Sequence, residues 1–172
     1  MKISLKTQVD NTLEVLNNLE SLEGMDVLVG IPEEASQRIK GEVTNAQLVE
    51  IHTKGLAQNL YWESKGSPLQ KLPARPIIEP ALEASGNKER IVEDLKIVGE
   101  LLLDGKRDEA IKALHIAGLD GVNMIKAWFD DPRNGWAPNS PATIKRKGSN
   151  KVLIDTAQMR NAMTYVVDIK GK

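Results

Sequence analysis

Apolar residues recur at Val9, Leu13, Leu16 and Leu19, with acids and asparagines between them. That helical spacing predicts an amphipathic helix ending near Gly24 and lying on a sheet. The run Met25-Asp26-Val27-Leu28-Val29-Gly30-Ile31 is rich in β-branched residues and stops at Pro32, which predicts a strand. A polar loop follows over 33–42. Thr44 offers a cap for a short helix through His52, with Ala46, Leu48, Val49 and Ile51 as its apolar contacts and Gly55 as its stop. Between Gly55 and Pro76 there is Gly, Ser, Pro and Lys but little periodicity, so this is the longest expected loop.

From Ile77 to about Asp130 the pattern is mostly helical. Ile91, Leu95, Val98 and Leu102 form one stripe, and Ala110, Leu114, Ala117, Gly118, Val122 and Ile125 form a second one of small residues. Gly105 separates them, which predicts two long helices or one broken helix. Asp131-Pro132-Arg133-Asn134-Gly135 is a turn cluster, and 136–150 holds too many Pro, Asn, Ser and Gly for regular structure, so a second long, basic loop is expected there. Asp155 or Thr156 can cap a short helix through Ala162, and Met163 to Ile169 alternates like a closing strand. The expected fold class is α+β: one domain over 1–172, with a small, mostly antiparallel sheet against one or two long helices and long loops at about 55–76 and 131–152.

Composition narrows the chemistry. The 172 residues are 41% apolar and 27% charged, ordinary for a globular chain able to bury a core. Aromatics are only 3%, so Leu, Ile, Val and Ala must build most of that core and the three tryptophans are candidates for special positions. There is no cysteine, which excludes disulfides and thiolate zinc sites. The start lacks the apolar core of a secretory signal, and no apolar run is long enough for a bilayer, so cytoplasmic residence and no membrane contact are expected.

Net charge is −1 but unevenly spread. Residues 1–50 carry four cations against nine acids (4 − 9 = −5), while 133–160 carry Arg133, Lys145, Arg146, Lys147, Lys151 and Arg160 against Asp155 alone (6 − 1 = +5). Such polarity favours head-to-tail contact between copies, the type that closes into rings; the same charges can instead pair within one subunit.

Candidate chemistry is sparse. His52 beside Glu50 has the residue types for acid–base work, but no nucleophile or metal partner stands at a recognisable spacing, so a structural role is preferred; His115 between Leu114 and Ile116 reads as a packing residue. No nucleophile elbow, phosphate-binding loop or dinucleotide fingerprint occurs, and no cofactor or metal is expected. Lys145, Arg146 and Lys147 with Lys151 either bind nucleic-acid phosphates or form a solvated loop. Trp128, Phe129 and Trp136 are either interface anchors or a satellite core that fastens a loop. Arg75, between two stiff prolines, is held for a bidentate partner on a neighbour or for an internal salt bridge. Asn139, Ser140 and Thr143 are turn and cap formers.

Two stretches carry a resemblance. Trp136-Ala137-Pro138-Asn139-Ser140-Pro141-Ala142-Thr143-Ile144-Lys145-Arg146-Lys147-Gly148, followed by Leu153-Ile154-Asp155-Thr156-Ala157-Gln158-Met159-Arg160-Asn161-Ala162-Met163-Thr164-Tyr165, resembles the C-terminal signature of phage virion-morphogenesis and tail-completion proteins. That pattern runs W-x-P-N-S-P-x-T-x-x-x-K-G, then L-I-D-T-G-x-L-x-x-S-I-x-Y. Ala157 stands where the pattern has glycine, and Ala162 where it has serine. Upstream, Val27 to Pro32 resembles the family's early strand, Leu48 to Gly55 its short helix, and Leu72-Pro73-Ala74-Arg75-Pro76-Ile77-Ile78 its I-P-x-R-P-F-L motif, with Ile77 replacing the aromatic.

The resemblance implies an α+β structural subunit, not an enzyme. It would form a homo-oligomeric ring at the neck or tail end and dock onto connector, head-closure, tail-tube or terminator proteins. It would reside in the host cytoplasm during assembly and then in the virion. Arg75, Trp128, Trp136, Asn139, Lys145, Arg146, Lys147 and Arg160 are the candidate interface residues. The alternative is a DNA-binding accessory protein using 145–151.

Overall fold

The two apolar stripes become two long helices. In the computed structural model, which describes residues 12–33, 36–38, 44–54 and 73–169, the chain runs through α1 (Thr12–Glu23), β1 (Met25–Gly30), α2 (Asn45–Lys54), α3 (Ile78–Glu83), α4 (Asn87–Leu103), α5 (Arg107–Trp128), a 3-10 turn (Pro132–Asn134), α6 (Pro141–Lys147), α7 (Gln158–Asn161) and β2 (Thr164–Ile169). Val9, Trp62, most of the expected 55–76 loop and the side chain of His52 lie outside the described residues.

β1 and β2 pair antiparallel, from Met25 opposite Ile169 to Gly30 opposite Thr164. A small antiparallel sheet on a long helix is the expected α+β arrangement, and the reason it can lie so close to α5 is the small-residue stripe. A Cβ on Gly118 would stand 2.7 Å from Tyr165 Cγ and 2.9 Å from Val27 Cγ2, and one on Gly121 would stand 3.2 Å from Val29 Cγ2. Glycine there lets the strands approach the helix backbone. The opposite face of the sheet leaves Leu28 and its cross-strand partner Val166 exposed.

Two apolar clusters lie along α5. Near its start Met25, Val98, Leu102, Ala110 and Leu114 are buried together; near its end Ile77, Ala81, Ile125, Trp128, Phe129, Met159 and Met163 are. Trp128 and Phe129 are therefore core residues. His115 is exposed on α5, its ring edge-on to Tyr165 at 5.8 Å.

Several expectations are corrected. The first helix packs chiefly on α4 near the α4–α5 turn, where Glu14 Oε1 lies 3.3 Å from a Cβ built on Gly105, and only marginally on the sheet. Its leucine row stays open: Leu13, Leu16, Leu19 and Leu22 are 77%, 50%, 42% and 40% exposed. The helical stretch after Ile77 has a second break: α3 ends at Ala84, whose backbone turns extended, and Gly86 at φ +86° starts α4 with its N–H donating to Glu89 Oε2 at 2.5 Å.

The 131–152 segment is not irregular throughout. Ser140 caps α6 by accepting from Thr143 N at 3.2 Å, Pro141 fills the first turn, and Gly148 at φ +68° terminates it with its N–H on Ile144 O. These residues read as loop formers but are the ones that bound a helix. Neither Asp155 nor Thr156 caps α7; that position belongs to Ala157, at φ +58°.

Candidate functional site

Stitching between distant segments builds a cavity at the far end of α5. Trp136 Nε1 donates to Pro76 O at 3.1 Å, and its ring meets Phe129 edge-on. Arg75, pre-set by its prolines, returns the contact: Nε and Nη2 both donate to Ala137 O, at 3.1 and 2.7 Å, and Nη2 also reaches Pro138 O at 3.2 Å. Within the chain Arg75 is thus a clamp on carbonyls and pairs with no carboxylate among the described residues, and its burial lowers its pKa. Asn139 closes the next loop by donating to Asn150 O and Lys151 O.

On the opposite wall Thr44 and Gln47 form a reciprocal capping box that starts α2, with Gln47 N on Thr44 Oγ1 and Thr44 N on Gln47 Oε1. Buried Asn45 donates from its backbone to Ser36 O, and Ser36 Oγ accepts from Ala46 N. The 36–38 segment is tied down in this way, which brings Arg38 to the cavity.

The cavity, open to solvent on one side, is about 580 Å³, between Pro73 and Arg75, α2, α6 and the 153–159 segment. Four cations line it, Arg38, Arg75, Arg146 and Lys147, against one carboxylate, Asp155, so 4 − 1 = +3. Arg38 Nε is buried without an acceptor among the described residues. Lys147 donates to Lys151 O at 2.7 Å; burial lowers its pKa, Asp155 opposes that, and the neighbouring arginines reinforce it. Polar Asn139, Ser140 and Thr143 and apolar Leu48, Leu153 and Met159 complete the wall. Leu153 and Ala157, both on it, are the non-glycine residues with positive φ, each at 58°, among the described residues.

Of the residues singled out in sequence, Arg75, Asn139, Arg146 and Lys147 meet at this cavity. Trp136 braces its floor and Trp128 lies in the core behind it, under the Arg133 guanidinium at 5.9 Å. Lys145 is exposed on α6. Arg160 turns away, donating to Lys126 O at 2.9 Å and pairing with Asp130, which Lys151 also contacts. Arg38 was missed, because a lone arginine in a polar stretch carries no pattern; only the tie from Ser36 to α2 places it. No group of His, Asp or Glu suited to a metal occurs among the described residues.

No family model, no curated protein and no solved structure matches this chain.

Proposed function

We propose that the chain is a structural subunit of a tailed phage or prophage particle, acting in head–tail joining or tail completion by assembling head to tail into a ring. It acts through contacts and turns over no substrate. The observation that carries this reading is the separation of charge along the molecule. Residues 12–30 contain Glu14, Glu20, Glu23 and Asp26 and no Lys or Arg, and strand pairing sets Asp168 beside Asp26. This acidic end packs where α4 turns into α5. The cationic cavity sits at the other end of α5, whose 22 residues span about 33 Å. The two charges are too far apart to neutralise each other within one copy, and unlike surfaces at opposite ends are what a closing ring requires.

The ordered motifs support the phage setting, since the I-P-x-R-P-like segment and the W-x-P-N-S-P-like segment bond directly to each other through Arg75 and Trp136. Deleting the gene from the parent phage or prophage tests the role by electron microscopy. Filled heads lying apart from finished tails are expected; normal infectious particles would remove the proposal.

A second reading is favoured by one observation. Lys145 lies exposed on α6 outside the cavity, next to Arg146 on its rim, and neither has an ion-pair partner among the described residues. A DNA-binding accessory role would use them on phosphates, and an anisotropy titration at low salt decides it: binding must occur and must fall when 145–147 become alanine.

A further inference from the structure

We propose that the cavity between α2, α6 and the 153–159 segment is a receptor for side-chain carboxylates, and that its occupant is the acidic α1–β1 end of a second copy of this chain. The proposal rests on the assembly reading above and gives that assembly its contact.

The cavity has the physical character of an incomplete ion-pair site. Arg75 is more than nine-tenths buried, yet its bonds go to carbonyl oxygens, which satisfy donors without cancelling the charge. Arg38 keeps Nε buried without an acceptor among the described residues. A buried cation lacking a counter-charge is costly, so an arriving carboxylate recovers free energy that water no longer supplies. Lys147 reports the same imbalance, its burial opposed by Asp155 alone.

The occupant follows from shape and from the rest of the molecule. Leu48, Pro138 and Met159 give the cavity an apolar share that suits a side chain with a methylene stem rather than a bare ion. A duplex presents phosphates along a line and is met by cations spread over a surface, whereas these four converge on one concavity. The acidic surface of this chain that lies farthest from the cavity and carries no Lys or Arg over 12–30 is α1–β1, with Glu20 and Glu23 exposed on α1. Its distance along α5 prevents a copy from filling its own cavity.

A charge-reversal pair tests this on the full chain by sedimentation velocity, with circular dichroism to establish that each variant folds. One variant carries Arg38→Glu and Arg146→Glu, which takes the cavity from +3 to 2 − 3 = −1; the other carries Glu14→Arg, Glu20→Arg and Glu23→Arg, which takes the acidic end, with Asp26 and Asp168, from −5 to 3 − 2 = +1. Each alone is expected to self-associate about thirtyfold or more weakly than the wild type, because losing one side of a desolvated charge contact has that effect. Mixed in equal amounts they are expected to associate again, since every cavity then faces an end of opposite sign. A mixture that stays dispersed overturns the pairing. A wild type that assembles and variants that assemble equally well overturn the cavity's role while leaving the assembly reading intact. A wild type that is monomeric at every concentration overturns both. Binding of a short DNA duplex that the first variant abolishes, with self-association unchanged, replaces this occupant with nucleic acid.

Discussion

A residue in the left-handed region is tolerated where the chain has to turn faster than an L side chain prefers. Ala157 holds φ +58° to turn the backbone out of the 153–156 segment into α7, whose Asn161 and Ala162 N–H groups then bond back to Ala157 O and Gln158 O. It stands where the resembled pattern has glycine, so the substitution carries a cost of about 1–2 kcal/mol, partly offset by the unfolded-state entropy that alanine removes. Ala157→Gly is therefore expected to raise the unfolding free energy by about 1 kcal/mol, read as a higher urea midpoint at unchanged slope. An unchanged or lower midpoint would mean that the turn is not strained. Leu153, at the same φ, makes a poor companion test, because its side chain packs on the buried cluster and a glycine there would lose that contact.

At the level of elements, the parts legible in sequence were those whose pattern and packing agree. The stripe on α5 was readable because Ala110, Leu114, Ala117, Gly118, Val122 and Ile125 are all buried, and both strands were readable from their β-branched runs. Gly118→Ala tests what that stripe does. A methyl there meets the Tyr165 ring and Val27, so the sheet must lift from the helix, and a loss of about 1–3 kcal/mol is expected despite alanine's better helix propensity. A gain in thermal midpoint would show that the strands do not sit so closely. What was not legible has a common cause. α6 is seven residues long and owes its existence to its two ends, and α7 is a single turn set by an alanine that no capping rule selects. The cavity joins 36–38, 75, 138–147 and 153–159, so its composition depends on tertiary bonds between segments that share no periodicity.

Across the whole molecule, charge and apolar surface coincide at one end. The leucines of α1 remain 40–77% exposed among the acids that make this end negative, and nothing described in the same copy covers them. Because water already reaches them, changing Leu16 and Leu19 to Gln should cost the isolated fold less than about 1 kcal/mol. If this end seats on a second copy, the same change should weaken self-association and alter how it responds to salt. Ionic contacts fade as the screening length falls from about 10 Å at 0.1 M to 3 Å at 1 M, whereas apolar contacts do not. The wild type is then expected to associate more weakly at 1 M salt but still measurably. The Leu16→Gln, Leu19→Gln variant, left with its charges alone, is expected to associate at 0.1 M and not at 1 M. Light scattering at the two salt concentrations separates the cases. Equal salt responses in the two proteins would show that the leucines take no part, and an association that salt strengthens throughout would show that the unlike ends are not what brings the copies together.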